Sequence, residues 1–303
     1  MKSIAILCAL LWVSPAFAAD DDADTKPASK AEDEKAAHAE GGKFSLLSHE
    51  CKPEEDELET VPGSPPLDVD DPATPGCNAW EVNIVTSGEF GKNQSWETPL
   101  LDINYGIGDN LQLKVEAPYE IAKTSDGYES GVGAAEIGLK VRFYENEESG
   151  LTVAVYPQVE FAFPGTAAAD GENGSGTLTK LPLLVSRKIG QTSKGDIMVT
   201  GNIGYNISTR PGTEHYLSAA FGVGMPLLSS VAVMLEGSTE QALSNNMDGV
   251  REHYYKANLG VMGKINPRFL VFGSVGQVFA SSDPDDPSHT CALLGFRVIA
   301  GGP

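Results

Sequence analysis

From Trp80 to the end of the chain, apolar and polar residues alternate in short runs, most clearly in LDINYGIGDNLQLKVEAPY at 101–119. Leu101, Ile103, Tyr105 and Ile107 share one parity, and Asp102, Asn104 and Gly106 share the other. Beyond Gly108-Asp109-Asn110, Leu111, Leu113, Val115, Ala117 and Tyr119 alternate with Gln112, Lys114 and Glu116. A period of two belongs to strands and Gly-Asp-Asn suits a tight turn, so this stretch predicts a hairpin. A soluble sandwich alternates in the same way, and the other runs must separate the two architectures.

Twelve runs are predicted, at 78–88, 98–108, 110–122, 132–145, 150–164, 176–189, 195–207, 214–227, 230–242, 253–265, 268–281 and 289–300. An even count suits a bacterial single-chain barrel, and most runs reach the roughly 9–11 residues a tilted strand needs to cross hydrocarbon. With the first strand leaving the periplasm, the links at 108–110, 146–149, 190–194, 228–229 and 266–267 are short. Those at 88–97, 122–131, 165–176, 208–214, 243–253 and 282–289 are mostly longer and rich in Gly, Ser, Asn and Asp. Short turns at one end and longer loops at the other are a barrel pattern that a sandwich has no reason to follow. The predicted fold class is therefore all-β, a transmembrane antiparallel up-and-down β-barrel of about 12 strands.

The start of the chain agrees with this. Met1 to Ala18 has one Lys, an apolar run from Ile4 to Val13 and a small-x-small site at Ala16-Phe17-Ala18, which reads as a signal peptide over 1–18. No later apolar run reaches about 18 residues, so any crossing of a membrane is by a barrel. The predicted location is the outer membrane of a Gram-negative bacterium, with the N-terminus periplasmic.

Composition divides the rest. Residues 19–77 hold 17 Asp and Glu against five Lys, with many Ala and Pro and few large apolar residues. Such a segment buries too little apolar surface to offset its ordering entropy, so 19–77 is expected to be acidic, Pro-rich, largely disordered and periplasmic, with 19–43 disordered and 44–77 a Pro-rich lead-in open to tethering. Residues 78–303 form the predicted barrel. The net charge of −21 contains no basic stripe and argues against nucleic acid as a partner. Cys51 and Cys77 flank the Pro-rich lead-in, and a disulfide between them is expected in an oxidising periplasm. Cys291 is left over in the last run, as a small buried or lipid-facing hydrophobe.

Charged residues recur on the polar parity: Glu81, Asp102, then Lys114 and Glu116, then Glu136, Lys140 and Arg142, on the first four runs. Glu160, Lys180, Glu236, Glu240, Lys256, Lys264 and Arg297 continue the pattern on later runs. All are expected to line the lumen, whereas Leu113 faces lipid and Gln112 points inward. Both signs occur in similar numbers, which leaves two outcomes open: a narrow polar channel, or an interior closed by ion pairs. Gly138, Gly204, Gly222, Gly224 and Gly260 share that parity, and small inward residues leave room for a passage. Aromatic residues near the run ends, Trp80, Tyr105, Tyr119, Phe143, Phe161, Phe163, Tyr205 and Tyr255, suit interfacial girdles. In 268–281 the apolar residues Leu270, Val271, Phe272, Val275 and Val278 do not sort onto one side, and no facing is assigned.

Chemistry-bearing motifs are weak. Gly131 to Glu136 resembles a dinucleotide loop but opens a strand-period run, and no cofactor is implied. Asp283, Asp285 and Asp286 read as a solvated acidic loop rather than a cation site. His215, His253 and His289 lie near predicted outer strand ends without triad partners, so an enzyme is not expected.

Four stretches carry a resemblance: LDVDDPATPGCNAWEVN at 67–83, LDINYGIGDNLQLKVEAPY, GVGAAEIGLKVRFY at 131–144 and TLTKLPLLVS at 177–186. Together they resemble the outer-membrane transporter family named for the MetA pathway of phenol degradation, over about 67–300. The resemblance implies an outer-membrane barrel with a transport role and supplies no catalytic residues. The expected function is a passive, porin-like channel or transporter for small organic molecules, aromatic ones included. Its partners are outer-membrane lipid and a small-molecule solute of unknown identity. The alternative is a plugged structural or surface-interaction barrel without transport.

Overall fold

The computed structural model describes residues 43–44, 51, 60–92, 94–124, 127–162, 176–246, 249–282 and 288–302. The predicted signal peptide, most of the acidic segment, Phe163 and the Asp283, Asp285 and Asp286 loop lie outside the described residues. A short β1 (Lys43–Phe44) pairs with β6. The wall then runs as β2 (Ala79–Phe90), β3 (Gln94–Ile107), β4 (Leu111–Thr124), β5 (Gly127–Val132), β6 (Ala135–Asn146), β7 (Leu151–Val155), β8 (Gln158–Phe161) and β9 (Thr177–Thr192). It continues as β10 (Gly195–Ser208), β11 (Tyr216–Leu228), β12 (Val231–Ala242), β13 (His253–Asn266), β14 (Phe269–Ser281) and β15 (His289–Gly301).

Every pairing is antiparallel, and β15 pairs with β2 from Thr290↔Phe90 to Gly301↔Ala79, which closes the sheet. β5 with β6, and β7 with β8, are each one interrupted stave, so the barrel has 12 staves. No helix occurs among the described residues. Closure removes the edge strands that an open sheet would leave unpaired.

The interruptions follow from residues that cannot continue a ladder. Between β7 and β8 stands Pro157, which has no N–H to donate, and its carbonyl instead accepts from Leu139 N at 3.0 Å. Between β5 and β6, Gly133 donates to the Pro118 carbonyl at 2.9 Å. Its neighbours press so closely that a Cβ on Gly133 would lie 2.1 Å from Glu120 Oε1. The register of β3 on β4 shifts between Glu97 and Leu100, across Thr98-Pro99, where the sheet tolerates a proline.

Outward positions form an apolar belt. Leu113 and Val115 on β4 lie beside Leu139 and Ile137 on β6, and all four are 39–53% exposed. A belt of this kind suits hydrocarbon rather than water. Aromatic pairs mark its borders. Trp80 and Tyr105 stack with ring centroids 4.5 Å apart near the short-turn end. Phe90, Trp96 and Tyr128 form a chain of 6.2 Å contacts near the other. Ten residue steps along β2 carry the chain from Trp80 to Phe90, about 33 Å of strand, and a tilt of about 40° makes that a rise of about 25 Å, the height of an outer-membrane apolar band.

Two expectations need correction. β4 runs on to Thr124 and β5 starts at Gly127, and β2 and β3 likewise continue to Phe90 and from Gln94. The predicted long loops at 88–97 and 122–131 are thus largely strand, and only the later connections on that side are long. The larger change concerns 60–77, expected to be part of a largely disordered segment. Leu67 and Val69 are 3% and 0% exposed and share one cluster with Val85, Ala232, Met234, Met262, Leu270 and Phe272 of the wall. These wall residues face inward, so the segment lies inside the barrel.

Candidate functional site

The segment 60–77 enters and leaves the lumen at the short-turn end. Thr60 and Pro62 pack on Gly224 and Gly222 of β11, near the β11–β12 turn. At the far point of the excursion Asp68 reaches Lys256 of β13, three residues from the long-loop end of that strand. The return limb passes Asn202 of β10 and ends at Gly106 of β3, where a Cβ would lie 1.7 Å from the Gly76 carbonyl oxygen. Pro62, Pro65 and Pro66 cannot donate to a ladder, which keeps the segment from adding a strand. Leu67 N instead donates to Gly63 O at 3.2 Å and makes the turn.

Wall side chains satisfy the backbone of this segment. Val69 N donates to the Glu236 carboxylate, and Asn258 donates to the same carboxylate at 2.9 Å. Asp70 N donates to Asn202 Oδ1 at 2.8 Å while Asn202 Nδ2 returns a bond of 2.7 Å to Asp70 O. Lys140 Nζ donates to Ala73 O at 3.0 Å, and Arg297 Nη2 to Pro65 O at 3.4 Å. The inward glycines expected to leave room are filled: Gly222 and Gly224 by Pro62, Val69 and Thr60, Gly260 by Leu67 and Pro66. Gly138 faces Tyr156 and Gln158 of its own wall, and Gly204 faces Ser218 and Pro182.

Most of the residues expected to line the lumen fall into three groups. One is a chain of alternating charge across β4 to β9: Glu116 to Lys114 (2.9 Å), Lys114 to Glu136 (2.7 Å), Glu136 to Lys180 (2.7 Å) and Lys180 to Glu160 (3.1 Å). Arg210, beyond β10, extends it to Glu160 at 2.8 Å. The second joins the first and last strands, with Arg297 on Glu81 at 3.2 Å and on Asn83 at 2.9 Å. From Asn83 it continues to Asp102, Asn104, Gln112 and the Tyr156 hydroxyl by bonds of 2.6–3.2 Å. The third is the anchorage of the segment by Glu236, Lys256 and Lys140, the last also 4.8 Å above the Tyr156 ring. Arg142 bonds the Asp109 carbonyl and lies 3.3 Å from Glu145, which ties down the β3–β4 turn. Lys264 lines the inner chamber described below. Glu240 is exposed, four residues beyond Glu236 toward the long-loop rim.

An inner and an outer chamber open in the lumen. The inner one, about 380 Å³, is lined by Lys114, Lys140, Lys264, Arg268 and Arg297 together with Asp70, Asp71, Glu81 and Asp102. The outer one, about 510 Å³, has Lys256 against Asp68, Glu89, Glu97, Glu116 and Glu120, with Leu100 and Leu293. Ser64 of the segment and Asp102 of the wall line both, so the two chambers share part of their lining.

Cys51 and Cys77 are joined in a disulfide with Cα atoms 5.2 Å apart. Cys291 is buried and faces Asn258 Oδ1 at 3.6 Å. His215 accepts from Ser208 N at 3.1 Å, His253 lies 3.3 Å from Arg251 O, and His289 lies 3.7 Å from Glu89, so the three do not converge.

Sequence reasoning missed the apolar pair Leu67 and Val69, the only large aliphatics between Val61 and Cys77, and the inward amides Asn83, Asn202 and Asn258. Parity marks the amides. Nothing local marks the pair, because its partners lie on strands far along the chain. The unassigned run 268–281 has the same explanation. Leu270, Phe272 and Val278 are buried inward while Val275 and Phe279 are over half exposed, so both faces are apolar. Leu270 and Phe272 meet the segment rather than water.

No protein-family model matches the chain, and no curated protein matches it. Among solved structures it is similar to the NanC porin, with a TM-score of 0.50 and 9% identity over 72% of this chain and 98% of that one. The KdgM porin gives a TM-score of 0.47 and 12% identity over 72% and 98%. The translocator domain of the autotransporter NalP from Neisseria meningitidis gives 0.44 and 11% over 73% and 87%. At its identity, the likeness to the NanC porin is one of fold: a closed antiparallel barrel of the outer-membrane type.

Proposed function

We propose that the protein is an outer-membrane channel for small organic solutes, resident in a Gram-negative envelope with its N-terminus periplasmic, and that residues 60–77 are its closing element. The observation that carries the reading is the pair of adjoining chambers, one toward each end of the lumen, both lined in part by a segment that enters from one mouth. A barrel needed only as a wall could close its bore with side chains from its own strands, as β4 to β9 do here. The stretch 67–83, which resembles the transporter family named for the MetA pathway, covers the apex and return limb of that segment, and this supports placing the chain in that family. The barrel fold and its apolar belt support the location.

Planar-bilayer recording tests the reading. Wild type is expected to show rare single-channel steps, and Leu67→Ser with Val69→Ser frequent ones. Folded wild type and variant that are both silent would replace the channel with the alternative, a plugged structural or surface-interaction barrel, which the buried charge chain across β4 to β9 favours.

A further inference from the structure

The lumen wall behind the closing segment is apolar, which is unusual in a bore whose remaining surface carries charges and amides. Val85 of β2, Met234 of β12, Met262 of β13 and Leu270 and Phe272 of β14 are each 5% exposed or less, and all lie on the inward parity. The stripe does not stop where the segment stops. Leu100 and Leu293 pack against it and line the outer chamber, while Leu270 and Ile299 continue it into the inner one. An apolar surface therefore runs from one chamber to the other, and Leu67 and Val69 lie across it. Resting on the channel reading above, we infer that this stripe is the binding track for an uncharged, predominantly apolar small molecule, and that Leu67 and Val69 occupy it in the solute's place.

Anchoring of the segment does not account for the stripe. The polar bonds at Asp68, Val69, Asp70 and Ala73 hold the chain from the strand side chains Lys256, Glu236, Asn202 and Lys140. An anchor would also have no need of Leu100, Leu293 and Ile299 beyond its ends. Water gains nothing from an apolar wall, whereas a solute leaving water for it gains in proportion to the apolar area it buries. Two methionines near the centre of the stripe suit a site that accepts more than one shape, because their unbranched side chains repack readily. A solute arriving in the outer chamber meets Leu100 and Leu293 first and competes with Leu67 for the surface beyond. Entry of the ligand and withdrawal of the segment become one equilibrium, in which apolar contact with solute replaces apolar contact with Leu67 and Val69.

The test is photolabelling of the full chain in lipid nanodiscs with an uncharged aryl diazirine, mapped by peptide mass spectrometry. Outward Leu235, Val261 and Val275, which are 43–59% exposed, report probe dissolved in lipid, and inward Met234, Met262 and Phe272 report the track. Weakening the competitor with Leu67→Ser and Val69→Ser is expected to raise inward labelling relative to outward by roughly tenfold. Excess of an unreactive aromatic hydrocarbon is expected to suppress the inward signal selectively. Inward positions that stay unlabelled in the variant while outward ones react would overturn the inference. Heat-dependent gel mobility checks folding, and Val69→Ser alone serves if the double variant does not fold. Flux of a small hydrophilic solute through the same variant separates the two readings. Flux without inward labelling removes the track and leaves the channel; inward labelling without flux keeps the track and removes the open channel.

Discussion

The Lys256 ammonium holds the Asp68 carboxylate at 2.9 Å inside the lumen, joining the apex of the closing segment to a strand 188 residues further along the chain. Ser238 Oγ adds a bond of 3.3 Å to the same carboxylate. This ion pair is partly open to water, with Asp68 41% exposed, so its worth is about 1 kcal/mol or less.

Lys256→Ala is accordingly expected to raise open probability by a few-fold without unfolding the barrel, and Asp68→Ala by a similar factor. The double variant is expected to do little more than either alone. A double-mutant cycle on single-channel recordings checks this, and strict additivity would show that the pair is not coupled.

Glu236 matters more, because it is 2% exposed and accepts from both Val69 N and Asn258. Glu236→Ala leaves Val69 N without its acceptor and Asn258 with only the Asp68 carboxylate at 3.4 Å, a loss of about 1–3 kcal/mol in the docking of the segment. Hydrogen exchange is expected to accelerate at the Val69 amide and across 60–77, with strand amides unchanged. Glu236→Gln keeps one acceptor oxygen and is expected to fall between wild type and Ala.

Facing along β4 sets up a contrast between substitutions. Leu113→Arg places charge in the lipid belt and is expected to cost about 2–4 kcal/mol near the midplane. Gln112, although inward, is 5% exposed and donates to Asn104 and Tyr156, so Gln112→Arg is also expected to destabilise. The tolerated inward exchange is Ser274→Lys, which enters the acid-rich outer chamber. Urea unfolding of the three variants in lipid vesicles checks the order.

Lys140→Ala with Arg142→Ala is expected to raise small-solute flux in liposome swelling and to shift ion selectivity toward cations. Lys140 holds the return limb at Ala73, and Arg142 holds the β3–β4 turn, where the Asp109 carbonyl also accepts from Thr74. Removing both loosens the limb and takes two positive charges from the bore. Unchanged selectivity in a conducting variant would place both charges away from the permeation path.

Period-two alternation, turn chemistry and the count of runs are local properties, and they determined the strands, their inward and outward faces and the barrel class. Leu113 against Gln112 needs no partner to be read, because a strand puts successive side chains on opposite faces whatever lies beyond them. The extent of strands at the long-loop end was less legible. Gly-rich stretches such as 127–132 look like loop, and only pairing with β4 makes them strand. A tether at Cys51 and Cys77 was legible, but the place of the closing segment inside the barrel was not. Leu67 and Val69 stand in a Pro-rich, acidic stretch whose own composition argues for disorder, and they are ordered by Met234, Met262, Leu270 and Phe272 on strands far along the chain, joined by Val85 once β15 has closed on β2. Tertiary structure alone decides such a contact, since burial depends on which distant surfaces enclose a residue, and the sequence around a residue carries no record of its enclosure.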